Sequence, residues 1–258
     1  MRLRVLGCSG AMGGPQHRTT SFLVDHDILV DAGTGVGELS LAELTLIDHI
    51  FVTHSHLDHV DSIAFMLDSV GSLRSAPLTV HATAATIAIL KRNLFNGDIW
   101  PDFSIIPTPQ EPYMRYQEIN VGTQIDLGGR KITALPAVHT VPAVGYWLDS
   151  GKGSLVFTGD TGPNDSLWEV VNQVHNLKYL IIETAFSDKD RWLAELALHL
   201  CPRPKTERGG EQGETAGQCR PGIHVPNLDG FHKSMIENHV PCLQEPKMTF
   251  GAKIAQYV

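Results

Sequence analysis

The chain has 258 residues, 42% hydrophobic and 19% charged, which is enough apolar text for one globular domain with a sizeable core. Its formal net charge of −8 gives no general electrostatic attraction to nucleic acid. No apolar run nears the roughly 20 residues of a membrane helix and the first residues lack a signal-peptide layout, so a cytoplasmic protein with no membrane partner is expected.

Aliphatic and β-branched runs at residues 2–6, Ser21–Val24 and Ile28–Val30 predict short strands. Between the first two, Gly7-Cys8-Ser9-Gly10-Ala11-Met12-Gly13-Gly14-Pro15 has neither the dinucleotide fingerprint nor the P-loop spacing. It reads as a tight turn, or as a loop whose backbone approaches a site. Asp31 ends the third strand, before Gly33 and Gly35. Two roles are open to its carboxylate: capping the turn through its own backbone, or orienting a metal-binding histidine from behind. A short helix is expected over Leu41–Leu46.

The apolar run Ile50-Phe51-Val52 then leads into Thr53-His54-Ser55-His56-Leu57-Asp58-His59. In extended backbone, side chains two apart share a face, which pairs His54 with His56. A helix starting near Leu57 would put Asp58 and His59 in its first turn. Imidazole nitrogen and carboxylate oxygen are ligands of borderline divalent metals such as zinc, and α/β proteins place their sites at strand ends. Val60–Leu73 continues at helical spacing through Ile63, Met66, Leu67 and Val70. Pro77–His81 reads as a strand and Ala84–Leu94 as a helix. This β-α-β-α order predicts a layered α/β fold.

Proline density from Trp100 to Tyr116 predicts a structured loop rather than a regular element. Strands are expected again at Gln117–Val121, Thr123–Leu127 and Lys131–Ala137, the last running into His139. Leu155-Val156-Phe157-Thr158 ends at Gly159-Asp160. Ser166–Leu177 is amphipathic, Tyr179–Ile182 reads as a strand running into Glu183, and a helix over Asp190–Leu198 leads to His199. After Pro202 the text changes: Lys205–Pro221 has little to bury and residues 222–258 show no clear period. Residues 1–202 therefore read as the folded domain and 203–258 as an atypical, loop-rich or disordered segment. The cysteines, Cys8, Cys201, Cys219 and Cys242, form no CxxC pair, which argues against a disulfide framework or a thiolate metal site.

The polar residues gathered at strand ends are His54, His56, Asp58, His59, His139 and Asp160. Four imidazoles and two carboxylates exceed the needs of one zinc ion. They suit two divalent ions about 3.5–4 Å apart, sharing a carboxylate and a hydroxide. The implied chemistry is metal-assisted hydrolysis. Zinc is the expected ion, with manganese and iron open to the same donors.

The HxHxDH run at His54–His59, the later His139 and Gly159-Asp160-Thr161 resemble the metallo-β-lactamase superfamily, over roughly residues 1–202. The resemblance implies a four-layer αβ/βα sandwich, with the C-terminal part irregular or incomplete here, and a dinuclear site at the edge between its two sheets. Carried over, His54, His56 and His139 bind the first metal, Asp58 and His59 bind the second, and Asp160 bridges. Within the superfamily the likeness is nearer to the class II 3′,5′-cyclic-nucleotide phosphodiesterases, which convert cAMP to AMP with a metal-bridging hydroxide. The related tRNA 3′-processing endonuclease is the alternative. In that branch Asp58 counts as catalytic. Glu183-Thr184-Ala185-Phe186 and His199-Leu200-Cys201 resemble the segments serving the leaving oxygen, with His199 as proton donor held charged by Glu183.

An acidic chain with no Gly-rich basic arm within residues 1–202 favours a small phosphodiester over nucleic acid as partner, and is compatible with a homodimer. Phe22, Phe65, Trp100 and Phe103 are the aromatic residues available to a base. The resemblance also calls for a late strand ending in Thr-His, whose histidine completes the second metal's ligands. None follows Pro202, where His224, His232 and His239 are the stand-ins. A catalytically feeble metal-binding variant is therefore the second expectation.

Overall fold

In the computed structural model, which describes residues 1–10, 12, 17–183, 242–249 and 252–257, the aliphatic runs form strands as their composition predicts. The first three are β1 (Leu3–Gly7), β2 (Ser21–Val24) and β3 (Ile28–Val30), the last two buried throughout. A capping box between Ser40 and Glu43 opens α1 (Leu41–Leu44). β4 (His49–Phe51), α2 (Leu57–Val70), β5 (Leu78–Ala82) and α3 (Ala84–Asn93) then alternate as expected. After a long loop come β6 (Met114–Glu118), β7 (Gln124–Leu127), β8 (Arg130–Pro136), β9 (Val144–Asp149) and β10 (Ser154–Phe157). α4 (Asp165–Val171), β11 (Leu177–Ile181), β12 (Cys242–Thr249) and β13 (Ala252–Tyr257) complete the described elements. The α/β class read from the element order is the one found.

The first sheet has the order β1-β2-β3-β4-β5-β6 and the second β11-β10-β9-β8-β7, while β12 and β13 pair with each other. Both large sheets are mixed. β1 to β3 are antiparallel neighbours and β3 to β6 parallel ones; β10 is antiparallel to β9 and parallel to β11. The chain divides into two units, Met1–Ala134 with Pro142–Val144, and Leu135–Val141 with Gly145–Val258. In the first, α2 turns Val60, Ile63, Met66, Leu67 and Val70 onto a core that includes Leu23, Leu29, Ile50, Val52 and Val80. Each large side chain so buried is worth about 1.5–3 kcal/mol, and this apolar anchoring holds the polar N-terminus of α2 in place. In the second, Leu135, Val156, Leu167 and Val171 form a smaller core. No helix among the described residues is long and apolar enough to cross a membrane.

Several boundaries depart from the sequence reading. β6 starts three residues before Gln117, because as an edge strand it carries the exposed Arg115, Gln117 and Glu118 rather than an apolar alternation. β9 was not expected at all; Gly145 breaks its apolar run, yet is where the strand lies so near β10 that a Cβ would stand 2.6 Å from the Thr158 carbonyl oxygen. α4 stops at Val171 rather than Leu177, since Asn172–Asn176 turns into β11. Residues 242–257 pair as two strands where no period is legible. The pairing register shifts on both sides of Gln244, and Pro246 lies within the second irregularity, where a missing N–H is tolerated. The helix expected over Asp190–Leu198, His199, the stand-ins His224, His232 and His239, and Ala11 and Gly13–Pro15 of the early Gly-rich loop lie outside the described residues.

Candidate metal centre

β3, β4 and β5 run parallel, and the polar motif leaves the sheet where they end. β4 exits through Val52 and Thr53 into His54; His56 is the N-cap of α2 at φ −65° and ψ 146°, so α2 starts at Leu57 as its spacing predicts. Asp58 and His59 thus occupy the first helical turn, where unpaired backbone N–H groups favour a carboxylate. His54 and His59 are buried, whereas His56 and Asp58 are partly open. The Nε2 of His54 and the Nδ1 of His56 stand 2.9 Å apart.

Behind the histidines lies Asp31, fully buried and held at φ 56°. Its Oδ1 accepts from the Thr53 backbone N–H at 2.7 Å; its Oδ2 accepts from the Thr53 hydroxyl at 2.8 Å and from His59 Nδ1 at 2.7 Å. Of the two roles open to this carboxylate, the geometry realises the one that orients a histidine. Burial pushes the Asp31 carboxyl up from its ordinary range, against the opposing pull of His59 and of the Thr53 donors.

These bonds fix where the ring protons sit. A carboxylate only accepts, so His59 Nδ1–H donates to Asp31 and the ring keeps a lone pair on Nε2, which lies 3.6 Å from Asp58 Oδ2. The Thr53 hydroxyl spends its single proton on Asp31, so at 3.0 Å from His54 Nδ1 it accepts, leaving the His54 lone pair on Nε2 as well. Both buried rings therefore present a metal-binding nitrogen away from the core. The donor set of this unit fits a borderline divalent ion. Gly33, the second residue after Asp31, comes so close to the first turn of α2 that a Cβ there would lie 2.1 Å from the Asp58 carbonyl oxygen.

In the second unit His139 follows β8 and Asp160 follows β10, with His139 Nε2 3.9 Å from Asp160 Oδ2. The two segments are tied by backbone: Val138 N–H donates to Thr161 Oγ1 at 2.9 Å, and Gly162 N–H to the Val138 carbonyl at 2.6 Å. Asn164 Nδ2 donates to the Pro136 carbonyl at 2.8 Å. Glu183, at the end of β11, gives its backbone N–H to Thr158 Oγ1 at 3.3 Å. His199, its expected companion, is among the residues not described.

Against known proteins, the family described as "Beta-lactamase superfamily domain" matches residues 26–221. The chain belongs to this beta-lactamase superfamily. A ribonuclease Z of Haloarcula marismortui is 31% identical over 156 residues, covering 58% of this chain and 47% of its own. A probable 3′,5′-cyclic-nucleotide phosphodiesterase of Yersinia pestis is 29% identical, covering 54% of this chain and 44% of its own. The chain thus spans about half the length of these curated relatives. Unliganded yeast PDE1 superposes with a TM-score of 0.61 at 16% identity, over 92% of this chain and 94% of its own, a likeness of fold. With a ribonuclease Z as similar as a cyclic-nucleotide phosphodiesterase, the acidity of this superfamily member gives no ground for excluding nucleic acid.

The sequence reading missed Thr53, which bonds Asp31 and stands within reach of both His54 and His59. Its only signal is a threonine directly before the first histidine. Two aromatic residues offered to a base are core instead: Phe22 is 2% and Phe103 5% exposed. Phe65 is 60% exposed and packs edge-on against Trp100, with ring centroids 5.2 Å apart.

Proposed function

We propose that the chain is a metal-dependent phosphodiester hydrolase acting on a 3′,5′-cyclic nucleotide, cAMP first. The observation that carries the metal reading is the Asp31–Thr53 hydrogen-bond set, which turns the Nε2 lone pairs of His54 and His59 outward. Superfamily membership and relatives named for cleavage of phosphodiesters support the reaction class.

As the resemblance of the HxHxDH run, His139 and Gly159-Asp160-Thr161 implies, His54, His56 and His139 would hold one divalent ion, and His59 with Asp58 the other, Asp160 serving both. Zinc fits imidazole and carboxylate donors, as do manganese and iron. Such ions, when bound, supply Lewis acidity toward the phosphate oxygens and lower the pKa of the attacking water. Asp58, partly open on the first turn of α2, would accept the proton that this water loses. The water oxygen forms the new bond to phosphorus, the P–O3′ bond breaks, and the leaving oxygen takes a proton. From the sequence, His199 is the donor of that proton, with Glu183 keeping it charged.

The Yersinia pestis relative named as a probable 3′,5′-cyclic-nucleotide phosphodiesterase supports the cyclic-nucleotide reading. The ribonuclease Z relatives favour a second reading, cleavage at the 3′ end of a precursor RNA. A catalytically feeble metal-binding chain is the third. One experiment separates all three: metal content per chain, with turnover of cAMP and of a 3′-extended tRNA precursor at matched metal. Two ions with cAMP turnover is the expected result. RNA cleavage without cAMP turnover transfers the assignment to the second reading, and metal binding without either turnover to the third.

A further inference from the structure

At the far end of α3 from its N-cap Thr83, the helix leaves a cavity of about 580 Å³ between its last turn and the loop that follows. This is within the roughly 300–1,000 Å³ of small-molecule sites. The loop is held by its own bonds. Asn96 Oδ1 accepts from the backbone N–H groups of Asp98 and Ile99 at 2.9 and 2.8 Å, Gly97 turns at φ 84°, and Trp100 N–H returns to the Leu94 carbonyl at 3.0 Å. Pro101, Ile105 and Ile106 form an apolar wall on the loop side, and the buried Phe95 also lines the cavity.

Lys91 and Arg92, in the last turn of α3, also line it. The Lys91 ammonium sits 4.9 Å over the ring of Tyr116, which pins the cation in place. The Arg92 guanidinium has no hydrogen-bond or ion-pair partner among the described residues. The one acid lining the cavity, Asp102, is engaged by its own turn, accepting from Ser104 N–H at 2.9 Å and Ser104 Oγ at 2.6 Å. The Asp102 carboxylate keeps its charge, so the lining carries two cations against one anion, beside the apolar Pro101, Ile105 and Ile106. Basic residues in a last helical turn also complement the helix carbonyls, but that role needs no apolar wall beside them.

We propose that this cavity binds an amphipathic organic anion, its phosphate or carboxylate head held by Lys91 and Arg92 and its apolar body laid against Pro101, Ile105 and Ile106. A guanidinium offers a planar fork to such a head and an ammonium adds a point charge. The site is independent of the candidate metal centre, so its failure leaves the hydrolase reading untouched.

Calorimetric titration of the full chain with monomeric octyl phosphate tests it, with inorganic phosphate carrying the same head and octanol the same tail. Octyl phosphate is expected to bind at least tenfold tighter than either. Lys91→Gln with Arg92→Gln, and separately Ile105→Asp, should each weaken it at least tenfold; all three side chains are exposed, so melting curves of the variants should match the parent. Octyl phosphate binding no tighter than inorganic phosphate, or binding untouched by both variants, overturns the proposal. Vesicles of phosphatidic acid distinguish the sources of such a head. Co-sedimentation lost in the same variants assigns a lipid, and no co-sedimentation beside tight octyl phosphate binding assigns a free ligand.

Discussion

Asp31 occupies a left-handed backbone position that costs most residues about 1–3 kcal/mol and that Asp and Asn enter most readily. What holds it there is the number of donors its carboxylate collects: the Thr53 N–H, the Thr53 hydroxyl and His59 Nδ1. Asp31→Asn keeps the backbone preference and the size but replaces one acceptor oxygen with a donor. Whichever way the amide is turned, an N–H then faces Thr53 or His59. The expected result is a loss of about 1–3 kcal/mol in stability, the usual penalty for a buried polar group without a partner. Metal affinity should also fall by about 10–100-fold, as when the partner behind a ligating histidine is removed. Denaturant unfolding and metal titration measure the two effects, and an unchanged metal affinity would show that Asp31 does not orient His59 for binding. The sequence left Asp31 with two roles because the deciding fact is a pairing between distant segments. Val30 lies opposite Phe51, which brings Asp31 alongside the exit of β4 and hence to Thr53.

At the scale of the elements, β4 and β5 bring His49 and His81 together, with His49 Nδ1 3.0 Å from His81 Nε2. His81 is stacked on Phe51 with ring centroids 4.2 Å apart and is 1% exposed. Burial, and then the neighbouring His49, push its pKa down from 6.5 to about 3. The unfolded chain takes up that proton below about pH 6.5 while the folded chain does not until about pH 3. Folding stability is therefore fully present above pH 6.5 and falls as the pH is lowered through that window. His81→Gln should flatten the acid side of the stability curve, read as a smaller change in denaturation midpoint between pH 7 and pH 4.5. An unchanged slope would place the acid sensitivity elsewhere. Elements with a strong local period were legible in advance: α2 through Ile63, Met66, Leu67 and Val70, and α3 through Ile87 and Leu90. The start of β6 and the whole of β9 were not, since an exposed edge and a glycine at a close crossing both erase the pattern that local reading depends on. The donor residues stood out for the opposite reason, being polar where strands end.

For the molecule as a whole, the proposed centre draws ligands from three separate stretches of chain: 54–59, His139 beyond β8 and Asp160 beyond β10. An ion that binds only the folded chain stabilises it by mass action, about 2.7 kcal/mol at a hundred times its Kd. Chelation should accordingly lower the melting temperature of the parent chain, and His56→Ala or His139→Ala should each abolish the share of that sensitivity which their common ion supplies. If both imidazoles serve one ion, the second substitution has little left to remove, so the metal-dependent stabilisation lost in the double variant should equal that lost in either single one. Two independent sites would instead give losses that add within about 0.3–0.5 kcal/mol. Melting curves of the four chains, with and without chelator, decide between these outcomes. Additive losses would end the assignment of His56 and His139 to a shared ion, whichever phosphodiester the chain cleaves.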